Sequence, residues 1–441
     1  MSSDYRRPGF GRWVWLCAGL LLTACCCCCG CARSNCCVFR GSAGNCSAAS
    51  VGRIPSASLA ETQRSEISPD VSAVRCYEDL DPPGISQTLL DAPSRYQALE
   101  AEACRSRAAA NSILANLLEG ERRAIATGAC SDPCGTALRR DLLALRAEDE
   151  RNRAAGAALE LFYRLAEAEA SRGATRHSLR HVGQALDDIA ALRRRGLPVG
   201  VDASALERQR IELRQRGEAV ARSLSELNLQ LGRLVGLEGD TPAAIWPAVD
   251  WRVEYREIDV DEAVALGLAT RADLALLRRL DGSLGVETLP AARGTLMQVD
   301  PMLGQPSVPV RRLASVLGNQ DNVTEAASRR DQIALLRADR ERAAADEIRQ
   351  AAIDVSSRYR EISLAKDMLA SWNGRLNDLR KRREAGDVSP FEIHAAEGEV
   401  MRAEHDLTSR VVAWKIAPVR LRQAQGLLAE PLPVSNSLPL E

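Results

Sequence analysis

Aromatic residues are scarce in this chain of 441 residues. Phe, Trp and Tyr together make up 4% of the sequence, whereas charged residues make up 27%. Aromatic and β-branched residues are enriched in strands, while Ala, Leu, Arg and Glu, which are prominent here, are typical of long helices. The composition therefore argues against a sheet-rich protein and favours a mainly α fold with long helices or coiled coils.

The chain also lacks an excess of charge of either sign. It has 58 Lys and Arg residues against 59 Asp and Glu residues, which gives a formal net charge of -1. A protein that binds nucleic acid normally carries a surplus of basic residues to neutralise phosphates, and this balance supplies none. We therefore predict no nucleic-acid partner.

Motifs for catalysis and cofactor binding are missing as well. The sequence contains no G-x-x-x-x-G-K-[ST] phosphate-binding loop and no G-x-S-x-G nucleophile elbow. Two of its four histidines, His177 and His181, lie four residues apart on a predicted helix, but no H-E-x-x-H glutamate or third ligand accompanies them. We interpret both as exposed polar residues, and we predict no enzyme activity, no metal site and no cofactor.

The segment 1–24 is predicted to be an export signal. Three arginines precede the apolar stretch 13–24, which is too short to span a bilayer as a permanent helix. The sequence LTAC at 22–25 resembles the lipobox of bacterial lipoproteins. Cys25 is therefore the predicted site of lipid attachment, and ordinary secretory cleavage is the alternative.

Cysteines are distributed unevenly, since ten of the fourteen lie between Cys17 and Cys46. They are too dense for the spaced ligand pairs of a zinc site. We interpret them as part of a low-complexity leader, followed over 25–93 by a Cys-, Ser- and Pro-rich tether. After export the compartment would permit disulfides, and Cys130 and Cys134 could then form one in a turn between two helices.

The predicted folded part begins with a helical repeat over 94–240. A helix without internal proline is predicted over 136–195, and at about 1.5 Å per residue it would be about 90 Å long. Apolar residues spaced alternately three and four apart in this helix and in the next segment form the seam of a coiled coil. The chain is predicted to reverse at a turn that contains Gly196, Pro198 and Gly200.

The same pattern recurs in the second half of the chain at one constant offset in sequence. The matched pairs include Gly196 with Gly386, Gly200 with Pro390, Asp202 with Glu392, and Gly236 with Gly426. Turn residues, acids after the turn and closing glycines agree in one register without a gap, which predicts a tandem repeat. The second copy is expected over 323–430, and a C-terminal tail over 431–441.

These features resemble the TolC-like outer membrane efflux proteins over about residues 94–430. The resemblance rests on the exported N-terminus and on two copies of a long helix, a G-x5-[DE] turn and a returning helix with a Leu-rich end. The phrase DVDEAVALGLATRADLALLRRL at 259–280 is similar to the family's segment entering its second repeat. The resemblance implies a TolC-like α-barrel protomer of tandem coiled-coil hairpins, with a small mixed equatorial region over 241–280.

The resemblance also implies a function. It implies a homotrimer that forms a passive periplasmic conduit, lipid-anchored on the periplasmic side of the outer membrane and coupled to an inner-membrane pump through a periplasmic adaptor protein. The hairpin tips that would meet the adaptor comprise Gly196, Pro198, Gly200, Gly386 and Pro390. Asp202 and Glu392 would be candidate acids of the periplasmic mouth, and the alternative is that each is merely an acid favoured at a helix N-terminus.

One region departs from the family pattern. Family members carry membrane strands with alternating apolar residues and aromatic girdles. The segment 281–322 contains four prolines and no aromatic residue, so we predict a Gly/Pro-rich loop in place of the strands and a β-barrel portion that is reduced or absent. This departure favours a second hypothesis, a non-conducting coiled-coil envelope lipoprotein that acts as a scaffold or binds a partner.

Overall fold

The fold is known from a computed structural model that describes residues 96–127, 133–196, 202–237, 244–305 and 320–429. Several sequence predictions lie outside these residues, namely the export signal, the tether, lipid attachment at Cys25, the proposed disulfide through Cys130, and the turn residues Pro198 and Gly200. In chain order the elements are β1 (Tyr96–Glu100), α1 (Ala101–Ala110), α2 (Ile113–Thr127), α3 (Pro133–Arg194), α4 (Ala203–Val235), β2 (Ala244–Ala248), α5 (Val260–Thr270), α6 (Ala272–Gly282), α7 (Leu289–Val299), α8 (Gln320–Glu384) and α9 (Pro390–Ala424).

Two very long helices dominate this order. α3 has 62 residues and α8 has 65, and each is followed by a returning helix, α4 after α3 and α9 after α8. We call α3 with α4 the first hairpin and α8 with α9 the second hairpin. The prediction of a mainly α fold with two long helical hairpins is confirmed.

The seam of the second hairpin follows the predicted heptad rhythm. Ile362, Leu369 and Leu376 on α8 are buried and pack in one cluster with Leu407 and Val411 of α9. Fully burying an aliphatic side chain contributes about 1.5–3 kcal/mol relative to leaving it exposed. In proteins most of the stability of a helix comes from packing of its apolar face rather than from propensity, so this lateral burial stabilises the long helices.

A two-stranded sheet accompanies the first hairpin. β1 pairs with β2 in parallel, with Tyr96 opposite Ala244 and Glu100 opposite Ala248. The ring of Tyr96 makes an edge contact with Trp246, with ring centroids 5.8 Å apart. The small mixed region is thus present. One of its two strands, β1, lies at the start of 94–240, the segment predicted to be a helical repeat.

Part of the segment 281–322 forms a helix that was not predicted. Residues 289–299 form α7, so the prediction of a loop throughout this segment is wrong. Pro290 lies in the first turn of α7, where proline is favoured because its missing N–H needs no partner. Leu289, Ala292 and Leu296 recur at helical spacing and are buried against α3, α6 and α8. No strand occurs in the described parts of the segment, 281–305 and 320–322.

Two glycines with positive φ allow a test of backbone geometry. Gly426, after α9, has φ +78°, and a Cβ added there would lie 3.1 Å from the Cα of Arg271. Gly196 has φ +71°, but an added Cβ would meet nothing within 4 Å. We expect Gly196→Ala to lower the free energy of unfolding by about 1–2 kcal/mol through backbone strain alone. Gly426→Ala should lower it by about 2–4 kcal/mol, because steric overlap is added to the strain.

The measurement is urea denaturation followed by circular dichroism for both variants. Gly196→Ala serves as the control, since it shares the positive φ and differs only in its surroundings. Equal losses in the two variants would contradict the tight packing of Gly426 on Arg271.

Candidate functional site

The two hairpins reverse direction at similar tips. Gly196 and Gly386 have φ values of +71° and +87°, and both are exposed. The N–H of Gly196 donates to the carbonyl of Arg193 at 3.0 Å, and the N–H of Gly386 donates to that of Arg383 at 2.9 Å. Glycine adopts positive φ without the clash that a Cβ would cause, so the chain can end one helix and turn at once.

Both tips carry exposed positive charge. The last turn of α3 contains Arg193 and Arg194, and the last turn of α8 contains Lys381, Arg382 and Arg383. A cation at a helix C-terminus is stabilised by the helix dipole. Because these side chains are exposed, their charge is also available to an acidic partner.

The two predicted mouth acids cap the returning helices. Oδ1 of Asp202 accepts hydrogen bonds from N–H and Oγ of Ser204 at 2.9 and 2.7 Å, and these bonds lower the pKa of the Asp202 carboxyl. Oε2 of Glu392 accepts a hydrogen bond from the N–H of Ser389 at 2.9 Å, and the N–H of Glu392 donates to the Ser389 side chain, so the two residues form a capping box. Pro390 lies in the first turn of the same helix. Both acids therefore have the geometry of helix N-terminal acids, and a role at a mouth stays a prediction.

The long helices form a row. α4 packs against α3, α3 packs against α9, and α9 packs against α8. The central pair approaches closely, since a Cβ added at Gly156 on α3 would overlap the side chain of Gln423 on α9. An ion pair of 2.8 Å between Glu160 and Arg420 also joins these helices. Within the described residues, α4 and α8 lie at the two edges of the row.

The edge helices expose apolar side chains. Apart from Val323 in the first turn of α8, those on α8 are Leu335, Ile353, Leu364 and Met368, and those on α4 are Ile211 and Leu229. At about 100° per residue, the four on α8 fall within about 60° of one face, and the two on α4 fall on one line. Their exposed fractions range from 52% for Ile211 to 71% for Leu229 and Leu335. We call these two sets the edge stripes, and they have the pattern of faces that pack against another surface.

The arrangement of helices and strands is similar to that of solved outer membrane channels. The chain matches the CmeC channel of Campylobacter jejuni with a TM-score of 0.53 at 9% sequence identity, over 75% of this chain and 86% of that chain. It matches the channel OprN with a TM-score of 0.55 at 11% identity, over 76% and 94%. It matches the open state of the MtrE channel of Neisseria gonorrhoeae with a TM-score of 0.51 at 10% identity, over 78% and 89%.

The chain has the fold of the TolC-like outer membrane channels. The family resemblance that the repeat and the hairpin turns indicated is thereby confirmed at the level of fold. No protein-family model matches the sequence, and no curated protein matches it either. Among the described helices of this TolC-like fold, none combines the length and the apolar content that crossing a membrane requires.

The structure brings together a cluster that sequence reasoning missed. His177 is exposed, but His181, one turn further along α3, points at α9, where it meets His394 and Glu397. The sequence has no third ligand close to the two histidines of α3. A signal was present in the H-x-x-E spacing of His394 and Glu397, which places both side chains on one helix face. Only the packing of α3 on α9 shows that His181 faces them.

Proposed function

We propose that the chain is a subunit of a passive, homo-oligomeric conduit of the TolC type. The observation that carries this proposal is the row of four helices whose two edges both present an apolar stripe. Contact of α8 in one copy with α4 in the next would be head-to-tail, and such contacts close into a ring when the rotation per subunit allows it. A closed ring would bury both edge stripes and enclose a channel between the helices.

The proposed ring has three copies, as the resemblance to TolC-like proteins implies. CmeC, OprN and MtrE, which have this fold, are described as outer membrane channels, and this supports the same location and a conducting role here. The sequence has no phosphate-binding loop of the P-loop type. Energy for transport would therefore come from an inner-membrane pump.

The duplicated hairpin supports the same proposal. Gly196 and Gly386 both have positive φ at the tips, and Gly236 and Gly426 both have positive φ after the returning helices. The two pairs share the same offset in sequence. A tandem repeat gives each subunit two equivalent hairpins, so a trimer would present six hairpin tips around one axis.

The proposed adaptor contact lies at these tips. It comprises Gly196, Pro198, Gly200, Gly386 and Pro390, and the basic last turns of α3 and α8 would attract an adaptor whose own tips are acidic. Asp202 and Glu392 follow the two tips directly, so a ring would gather their carboxylates at the mouth, where like charges repel one another. Lipid on Cys25, within the LTAC sequence, would hold the conduit on the periplasmic side of the outer membrane.

The oligomer is tested by placing a charge in one edge stripe. Leu364 is 69% exposed on α8, so Leu364→Arg should leave the fold intact in a single copy. In the proposed ring Leu364 is buried between copies, and an unpaired charge there should weaken association about tenfold or more. Native mass spectrometry in mild detergent should show trimers for the wild type and mainly monomers for the variant.

Ser363→Arg provides the matched control. Ser363 is also exposed on α8, but it lies about 100° around the helix from Leu364. This variant should remain trimeric. Monomers for the wild type, or trimers that persist in Leu364→Arg, would contradict the ring and leave the non-conducting scaffold lipoprotein as the better account.

A further inference from the structure

Three side chains from the two hairpins converge on one point. His181 lies on α3, whereas His394 and Glu397 lie three residues apart on α9. The Nε2 atom of His181 lies 3.0 Å from Oε2 of Glu397 and 3.2 Å from Nδ1 of His394. The remaining edge, from Nδ1 of His394 to Oε2 of Glu397, is 3.4 Å. The three atoms therefore form a nearly equilateral triangle.

The size of this triangle fits a tetrahedral metal. Zinc bonds to imidazole nitrogen and carboxylate oxygen are about 2.0–2.1 Å long, so two ligand atoms of a tetrahedral zinc lie about 3.3–3.4 Å apart. The observed edges of 3.0, 3.2 and 3.4 Å are close to that value. Two imidazoles with one carboxylate are a donor set that suits zinc and similar transition metals better than Mg²⁺ or Ca²⁺, which prefer oxygen.

Hydrogen bonds alone explain the close approach of these three atoms less well than a metal does. If each imidazole carries a hydrogen on the nitrogen that faces the cluster, both can donate to Glu397, but the two N–H groups then oppose each other across the 3.2 Å edge between His181 and His394. If only one of the two imidazoles carries a hydrogen on that nitrogen, this single proton must be shared between hydrogen bonds to both of the other atoms. One cation bound to all three atoms replaces all three contacts with coordination bonds.

The surroundings hold the ligands in place. Oε1 of Glu397 accepts a hydrogen bond from Arg380 at 3.0 Å, which leaves Oε2 to face the histidines. Nε2 of His394, the nitrogen away from the triangle, lies 3.5 Å from a carboxylate oxygen of Asp188. Metal-bound histidines usually direct their second nitrogen at such an acceptor.

We propose that His181, His394 and Glu397 bind Zn²⁺ or a closely similar divalent transition metal, one ion for each chain. The side chains of His181 and His394 also line a cavity of about 880 Å³ between α3, α4 and α9, which gives room for a water molecule as the fourth ligand. Because the ligands come from α3 and α9, the metal joins the first hairpin to the second. The inference rests on this geometry alone and requires neither a ring nor conduction.

The experiment is a Zn²⁺ titration of the full chain against a chromophoric chelator. Metal is first stripped from the protein, and the cysteines are alkylated because thiolates bind Zn²⁺ as well. We expect the wild type to bind one Zn²⁺ per chain. Glu397→Gln should weaken binding more than about tenfold, and His394→Ala should abolish it. Asp188→Asn, which touches only the outer nitrogen of His394, should weaken binding about tenfold.

His177→Ala is the matched control, because it removes an exposed histidine one turn away on the same helix, and it should bind as the wild type does. Circular dichroism shows whether each variant is folded; if His394→Ala is not, the nearly isosteric Glu397→Gln decides. The proposal is overturned if the alkylated wild type binds no Zn²⁺, or if Glu397→Gln binds it as tightly as His177→Ala does. Loss of trimers in the mass measurement would leave this result unaffected, so the two proposals fail separately.

Discussion

Arg271→Ala is expected to lower the free energy of unfolding by about 3–5 kcal/mol, because it removes a buried guanidinium together with its four charge-assisted hydrogen bonds. Arg271 precedes α6 and is only 7% exposed. Its guanidinium donates to both oxygens of Asp273 at 3.0 and 2.8 Å, to Glu347 of α8 at 2.7 Å, and to the carbonyl of Ala424 at 2.9 Å. One side chain thus ties α6 to α8 and to the end of α9.

The pKa of Asp273 gives this prediction a pH dependence. Burial raises the pKa of its carboxyl, but the hydrogen bonds and charges of Arg271 and Arg340 outweigh burial and lower the pKa from 3.8 to about 2. Since the folded value lies below the unfolded value, ionised Asp273 contributes stability that is fully present above about pH 4 and is lost as the pH falls through about 2. The difference in stability between wild type and Arg271→Ala should therefore shrink between these two pH values.

Arg279→Ala supplies the control for Arg271→Ala. Arg279 lies on α6, which follows Arg271, and forms an ion pair of 2.8 Å with Asp141, but both side chains are nearly half exposed. Exposed pairs of this kind contribute about 0–1 kcal/mol. Urea unfolding at neutral pH should separate the two variants clearly. Similar small losses in both would show that solvent screens the Arg271 cluster, contrary to its burial.

Much of this fold could be predicted because its signals are local and repeated. The heptad seams, the glycines at the tips and the constant offset between the two copies located both hairpins in the sequence. The capping roles of Asp202 and Glu392 could also be anticipated, since an acid is favoured in the first turn of a helix. Apart from the offset, each of these signals depends on residues within a few positions of one another.

The parts that were missed depend on distant contacts. β1 forms because Tyr96 and Leu99 pack near β2, which lies beyond the whole first hairpin in sequence, and the segment YQALE has no strand signal of its own. The four prolines of 281–322 favour a loop, and this signal masks the helical spacing of the buried residues in α7. The cluster of His181, His394 and Glu397 forms only because α3 packs against α9, which is distant in sequence. No local sequence motif therefore contains all three residues.

Phe162→Ala is expected to lower the free energy of unfolding by about 3–5 kcal/mol, through lost burial and the cavity left behind. Phe162 lies on α3 with no exposed surface. It packs in one cluster with Leu99 of β1, Cys104 of α1, Leu231 of α4 and Ile245 of β2. The side chain therefore belongs to the core that holds both strands against the first hairpin, and its loss should loosen the sheet as well as the helices.

Two measurements separate this effect from a general weakening. Urea unfolding followed by circular dichroism gives the total loss, and Phe162→Leu, which keeps an aliphatic side chain, should lose only about 1–1.5 kcal/mol. The core of the second hairpin is a cluster separate from the one that contains Phe162. Amide hydrogen exchange of Phe162→Ala should therefore show that β1 and β2 lose protection at urea concentrations where the amides of the second hairpin remain protected. If the strands and both hairpins instead lost protection together, the sheet and the coiled coils would unfold as one cooperative unit, and the separate core assigned to the sheet would be wrong.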